Sequence, residues 1–265
     1  MRRLYEHVMQ HVATTDQENH LNASAIIFSP HADDETLGCG GTIIKKRRLG
    51  AAVQIVFMTD SANSHKRLIA KEELKAIRKR EALAAGARLG VEENHLFFLD
   101  FEDGRLSQSL EAAIAKVAQL LASQQPDEIF VPYYKEPPSD HWATNHIVLA
   151  ALAACRKRAM VYEYPVWFWH HWPWASVSMN GWREILSSGA ISLVSAYRLI
   201  RDFRCFTPIE EVLEIKRAAL NEHKSQMTKL LPLPEWKTLG EIANGEFLER
   251  FFQPREIFRR FRFPA

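Results

Sequence analysis

The chain has 265 residues, long enough for one large domain with a full core or for two small ones. Its 34 basic and 32 acidic residues leave a formal charge of +2, too balanced to suggest a nucleic-acid binder, and a charged fraction of 25% is ordinary for a soluble globular protein. Three widely spaced cysteines, Cys39, Cys155 and Cys205, suit a reducing cytoplasm and argue against a disulfide framework; no apolar run approaches the about 18 residues of a membrane span, and no secretory h-region follows the basic start.

The first clear element is the apolar run ending Ala25-Ile26-Ile27-Phe28, short and β-branched enough to read as a buried strand. It runs into Ser29-Pro30-His31-Ala32-Asp33-Asp34-Glu35, which packs one imidazole and three carboxylates into five residues. Thr36 to Leu49 reads as a helix closed by Gly50, and Val53 to Met58 as a second strand. Thr59 to His65 is a polar loop, Lys66 to Leu89 a long charged helix, Leu96 to Leu99 a short strand, and Asp100 to Gly104 a turn. Leu106 to Ser123 is an amphipathic helix and Glu128 to Val131 a strand. A loop with Pro132, Pro137 and Pro138 leads to Asp140-His141 and a helix running to about Arg158, followed by a strand from Met160 to Tyr164.

Strands alternating with helices imply βαβ units and a mainly parallel open α/β sheet. The pattern then changes. Residues 165–206 are dense in tryptophan and read as extended from Ile191 to Phe206, Ile209 to Leu231 reads as one helix, and the tail is rich in proline and aromatics. One domain is expected, with a core over about 22–165 and a C-terminal elaboration over about 166–265.

Carboxylates crowded at the carboxyl end of a strand repel one another unless something positive sits among them, and open α/β sheets place ligands there. A divalent metal is the simplest candidate. Catalytic zinc takes three His or Asp/Glu ligands and leaves one position for water. His31 and Asp34, three apart in a tight loop, can face one ion; His141, after the fourth strand, is the best third ligand. Asp33, between the first two, can face the water, while Asp140 and Glu35 are read as supporting contacts. The bland alternative is that Asp33, Asp34 and Glu35 simply charge a helix start. The histidine in the same loop and the Asp140-His141 pair favour the metal. Gly38, Gly40 and Gly41 do not have dinucleotide-loop spacing, and carboxylates at that turn would repel a pyrophosphate.

With these residues in view, the chain resembles the PIG-L/LmbE-like de-N-acetylases. His31-Ala32-Asp33-Asp34-Glu35 is similar to their HPDDE-type signature, with Ala32 where proline is common. Thr59-Asp60, Ser64-His65, Arg80-Glu81-Ala82, Asp103-Gly104-Arg105-Leu106, Ser139-Asp140-His141, Tyr162 to Trp167, and Lys216 to Leu220 with His223, Ser225 and Gln226 follow in order, over about residues 22 to 250. The resemblance implies a Rossmann-like three-layer open sheet and hydrolysis of an N-acetyl group from an amino sugar or its conjugate. It also implies a zinc or iron ion on His31, Asp34 and His141, with Asp33 as general base. The family's second motif is typically His-Pro-Asp-His, and Pro138 stands where its first histidine would be. His65, His170, His171, His223, Tyr133 and Lys135 are the candidate stand-ins, of which His65, His223 and Tyr133 are carried forward as candidate substrate or oxyanion contacts.

Other features have plainer readings. His146, five residues past His141, is rotated off the ligand face. Lys71, Lys75, Arg78, Lys79 and Arg80 among Glu72, Glu73 and Glu81 read as a solvated helix face laced with i,i+4 pairs, with a structural ion pair at Arg80 and Glu81. Trp167 to Trp174 serve as core, interface or sugar platform. The tail from Phe251 to Phe263 is expected to dock its apolar residues and leave its arginines in water. The expectation is a cytoplasmic, metal-dependent de-N-acetylase acting on a small N-acetylated sugar or glycoconjugate, with zinc or iron as cofactor, no nucleic-acid partner, no transmembrane segment and an oligomeric state the sequence leaves open. Two alternatives stand beside it: a metal hydrolase of another amide, ester or phosphoester bond, and a non-catalytic sugar- or nucleotide-binding relative.

Overall fold

The computed structural model describes Thr14–Thr15, residues 20–170, residues 194–195 and residues 197–264. Its strands are β1 (Thr14–Thr15), β2 (Ala25–Ser29), β3 (Val53–Thr59), β4 (Leu96–Phe101), β5 (Glu128–Pro132), β6 (Ala159–Tyr164), β7 (Cys205–Pro208) and β8 (Arg255–Phe263). The helices are α1 (Asp34–Arg48), α2 (Lys71–Leu89), α3 (Leu110–Gln124), α4 (Ser139–Ala154), α5 (Leu213–Leu220), α6 (Lys224–Met227) and α7 (Glu246–Glu249). The strands join in one sheet in the order β1-β7-β8-β6-β5-β2-β3-β4. Strands β2 to β6 are mutually parallel, and only β8 runs antiparallel to its neighbours β6 and β7.

Alternation along β2 explains the three layers. Ala25 and Ile27 point to one face, where they pack with Leu37 and Ile43 of α1, Ala82 of α2 and Ala219 of α5. Ile26 and Phe28 point to the other, against Ala113 and Val117 of α3 and Ile147 and Val148 of α4. A strand covered on both faces needs an unbroken apolar run, which is why β2 reads as one rather than alternating.

The order also fixes where a ligand can sit. From β2 the chain moves outward to β3 and β4, then crosses back to place β5 on the other flank of β2. The carboxyl ends of β2 and β5 therefore border the switch point of the sheet, and the loops leaving them carry His31 to Asp34 and, at the start of α4, His141.

The glycines of α1 serve packing. A Cβ at Gly38 would lie 2.2 Å from Cδ2 of Tyr164, and one at Gly41 would lie 2.5 Å from Cγ2 of Ile209. The absence of side chains lets β6 and the segment after β7 press on the helix.

Three expectations change. Residues 197–202 are helical rather than extended, because Leu199 and Phe203, four apart, turn the same way into the core. The helix expected over Ile209 to Leu231 divides into a 3₁₀ turn, α5 and α6, because the chain turns at His223 (ψ 60°) to bury that ring. The aromatic tail is the strand β8 of the main sheet, buried at Ile257 and Phe258, and Arg259 pairs with Glu163 at 2.8 Å rather than standing free in water. Residues 171–193, with Trp172, Trp174, Trp182 and His171, lie outside the described residues.

Glu256 ties β8 to α1. Its carboxylate accepts the N–H groups of Gly41 (2.7 Å) and Thr42 (2.8 Å) and the Thr42 hydroxyl (2.6 Å), and pairs with Lys216 Nζ at 2.7 Å. Lys216 in turn donates to the Leu37 carbonyl at 2.9 Å. The C-terminal segment thus grips the helix that continues from the acidic loop.

Overpacking at a rigid contact costs about 1–3 kcal/mol. Gly38→Ala, which drives a methyl into the Tyr164 ring, is expected to lower the unfolding free energy measured in urea by that amount. Gly240→Ala, where the nearest atom is Thr238 Oγ1 at 4.0 Å, should leave it unchanged.

Candidate metal centre

The acidic loop is built around one unusual residue. Asp33 precedes α1 with φ 141° and ψ −30°, a conformation that non-glycine residues avoid and that costs on the order of 1–3 kcal/mol. Its surroundings hold it there. The Asp33 N–H donates to Glu35 Oε2 at 3.0 Å, and its carbonyl accepts the N–H groups of Thr36 (3.0 Å) and Leu37 (2.9 Å). The neighbouring Ala32 N–H is held by Ser61 Oγ at 2.9 Å, on the loop after β3.

Glu35 organises this turn from below. Besides the Asp33 amide it accepts the Thr36 hydroxyl at 2.7 Å and faces His223 Nε2 at 3.0 Å. Burial would push the Glu35 carboxyl up, but the charge and hydrogen bond of His223 hold it below its ordinary range. His223 moves the opposite way: burial lowers its pKa and Glu35 outweighs that and raises it. The two form a buried ion pair beneath the base of the loop.

His31, Asp34 and His141 converge. His31 Nδ1 lies 3.1 Å from Asp34 Oδ2, and His141 Nε2 lies 3.3 Å from the same oxygen. One donor atom from each of the three residues lies within 4.8 Å of the others, a spread that a single ion can span. Burial would raise the pKa of Asp34, but His141 and His31 together hold it well below the carboxylate range. Both ring nitrogens of His141 are buried without a hydrogen bond. A fully buried imidazole with no hydrogen bond calls for a partner, and a cation at Nε2 would supply one. The donor set, two imidazoles and a carboxylate, suits zinc or ferrous iron.

The far side of His31 is also held. Its Nε2 lies 3.2 Å from Asp103 Oδ1 and 3.4 Å from Asp140 Oδ2, so the ring would present Nδ1 to an ion and keep its proton on Nε2. Burial lowers the His31 pKa, and hydrogen bonds to Asp103, Asp140 and Asp34 more than reverse it. Asp140 is fixed by the N–H groups of Gly104 at 2.6 Å and Leu106 at 3.2 Å.

The cavity beside this centre has a volume of about 290 Å³. Asp33, Arg78, Asp103 and Gln226 contribute polar groups, and Trp167 and Phe247, stacked at 5.2 Å, an aromatic wall. Arg78 Nη2 reaches Asp33 Oδ2 at 3.3 Å and also donates to the Ala32 carbonyl. Burial pushes the Asp33 carboxyl up to about 6, with Arg78 opposing the rise.

Several expectations need correction. His65 turns away from the cavity, stacking on Trp236 at 4.2 Å with Nε2 against the Lys237 carbonyl at 3.0 Å. His223 faces Glu35, and the Tyr133 hydroxyl donates to Asp202 at 2.6 Å. None of the three lines the cavity, because each is already engaged by a partner elsewhere. Lys135 is exposed over the Tyr134 ring, and His170 is exposed beside Trp167. His146 is exposed and stacked on Trp142, off the ligand face as expected.

The charged face of α2 is not wholly solvated either. Arg78 is buried, Arg80 is exposed, and Glu81 bonds Ser225 through its N–H (2.8 Å) and hydroxyl (2.6 Å) rather than pairing with Arg80. Sequence reading missed Arg78 for want of any periodic signal. It missed Phe247, which comes from a segment distant in the chain; of the other walls, Trp167 reads from sequence as core, interface or sugar platform and Gln226 only as part of the family pattern.

An open, mainly parallel sheet with a His/Asp group at its switch point defines an α/β protein with a candidate ligand site at the carboxyl ends of its strands, and the donor set is one that could hold a cation. The family model described as PIG-L, GlcNAc-PI de-N-acetylase, matches residues 26–152, the stretch from β2 to the end of α4. Among solved structures, the chain is similar to N,N'-diacetylchitobiose deacetylase from Pyrococcus horikoshii complexed with its inhibitor MPG, at 21% identity and a TM-score of 0.66 over 98% of this chain and 91% of that one. It is similar to the zinc-inhibited form of teicoplanin deacetylase Orf2 at 15% identity and a TM-score of 0.61, over 90% of this chain and 98% of that one. It is also similar to GalB, the 4-carboxy-2-hydroxymuconate hydratase from Pseudomonas putida KT2440, at 17% identity and a TM-score of 0.55 over 92% and 97%. At these identities the likeness is one of fold. No helix among the described residues is long and apolar enough to cross a membrane.

Removing one partner of a buried ion pair typically costs about 3–5 kcal/mol. Glu35→Ala, which also frees the Asp33 amide, is expected to fall in that range in equilibrium urea unfolding. A loss below about 1 kcal/mol, the value of an exposed pair, would contradict the buried pairing with His223.

Proposed function

We propose that the chain is a metal-dependent de-N-acetylase that releases acetate from an N-acetylated amino sugar or sugar conjugate. The observation that carries this reading is the convergence of His31 Nδ1, Asp34 Oδ2 and His141 Nε2 beside the cavity-lining Asp33. His31, Asp34 and His141 would hold the ion, zinc or ferrous iron. When bound, such an ion supplies a Lewis acid that makes water a better nucleophile and polarises an amide carbonyl.

The chain's own residues handle the proton. Asp33 accepts it from the attacking water as the water oxygen bonds to the acetyl carbon. Among the described residues lining the cavity, His31 is the only imidazole, and Pro138 occupies the place where the family motif has another. Asp33 is therefore assigned the return step as well: it gives the proton to the amide nitrogen as the C–N bond breaks, leaving a free amine and acetate. A carboxyl raised to about 6 suits a group that must both take and return a proton near neutrality. Arg78 Nη2 fixes that carboxylate. Trp167 and Phe247 offer apolar surface to a sugar ring, and Asp103, Gln226 and Asn63 offer groups to its hydroxyls.

Pro138 favours a second reading, a relative that binds its ligand without turning it over. The two separate in one assay of amine release from N-acetylated sugars. Asp33→Asn is expected to lower kcat by about 10²–10⁴-fold while leaving KM within a few-fold. Equal background rates in wild type and variant would favour the binder.

The metal has its own test. Zn²⁺ should raise the melting temperature of the wild-type protein by mass action, and His141→Ala should lose most of that rise. An equal rise in both would place the ion elsewhere.

A further inference from the structure

Glu136 takes no part in the chemistry above, and nothing in its sequence neighbourhood marks it. Its side chain is nonetheless fully buried, and its two oxygens serve two separate elements. Oε1 accepts the N–H groups of Val166 and Phe168, each at 3.1 Å, and Oε2 accepts the N–H of Trp167 at 2.6 Å. Those amides belong to the turn that follows β6, and that turn carries Val166 and Trp167 into the cavity wall. Oε2 also lies 3.6 Å from His141 Nδ1, a buried nitrogen with no hydrogen bond.

Three converging amides make a buried anion tolerable. They do not by themselves call for one, since a neutral acceptor could satisfy a turn without the cost of burying charge. The charge has a use on its other side. A histidine that ligates an ion through Nε2 carries its proton on Nδ1, and a carboxylate facing that proton fixes the ring plane and strengthens the ligand.

We propose that Glu136 is the positioning residue of the metal centre, orienting His141 and locking it to the turn that carries Trp167. This rests on the metal-centre reading above. One carboxylate then sets both a ligand and a wall of the substrate cavity, so the two keep register. The loop between β5 and α4 is where this chain has Pro138 in place of an imidazole, and Glu136 stands two residues before it.

The test measures Zn²⁺ dissociation constants by competition with a chromophoric chelator, for wild type and for Glu136→Gln. Loss of such a supporting carboxylate is expected to weaken Zn²⁺ binding about 10–100-fold. Wild type that binds no Zn²⁺ would overturn the metal centre itself. Wild type and variant binding with equal affinity would overturn only the role of Glu136. A measurement on the unaltered chain guards against a variant that does not fold. In the proton NMR spectrum of the Co²⁺-loaded wild type, the paramagnetically shifted His141 Nδ1–H should exchange slowly with water. Exchange as fast as that of a free imidazole would contradict the proposal.

Discussion

Six carboxylates, those of Asp33, Asp34, Glu35, Asp103, Glu136 and Asp140, crowd the carboxyl end of the central strands, and most are buried. Charge cannot be removed from water in that density without compensation. Every other feature of the site follows from how it is compensated. His223 faces Glu35, Arg78 faces Asp33, and three backbone amides hold Glu136. His31 is shared among Asp34, Asp103 and Asp140. Beside Asp34, His141 has both ring nitrogens buried without a hydrogen bond, and a cation there would complete the compensation.

The fold makes this concentration affordable. The switch between β2 and β5 opens a gap at the strand ends, and α1 and α4 start there. Their first turns place Asp34, Glu35 and Asp140 at the positive ends of two helix dipoles. The C-terminal segment closes the back. Lys216 and Glu256 clamp α1, while His223 and Ser225 reach Glu35 and Glu81. The strand β8 extends the same sheet, so the elaboration is part of the structure that holds the acidic loop in its strained conformation.

Much of this was legible in the sequence, for physical reasons. Buried parallel strands leave unbroken apolar runs, so β2, β3, β5 and β6 were readable within a residue or two. Residues that share a loop, such as His31, Asp33 and Asp34, reveal their chemistry by adjacency, and Asp140-His141 did so by its place after a strand. What failed to show was anything settled by tertiary contact. Arg78 lies in a charged helix whose pattern reads as solvated, and only the approach of the acidic loop buries it. Glu136 is one residue among prolines, and its role depends on a turn some thirty positions away. His65, His223 and Tyr133 looked like site residues because polar groups near motifs attract attention, yet each is taken by a local partner. The strand β8 was hidden by its arginines, which an edge-facing pattern tolerates when carboxylates such as Glu163 lie across the sheet.

The most direct test of the central claim is X-ray absorption at the zinc edge of metal-loaded protein. The account predicts a first shell of nitrogen and oxygen at about 2.0–2.2 Å, with the outer scattering of two imidazole rings. An ion with no imidazole scattering, or with sulfur in its first shell, would contradict it.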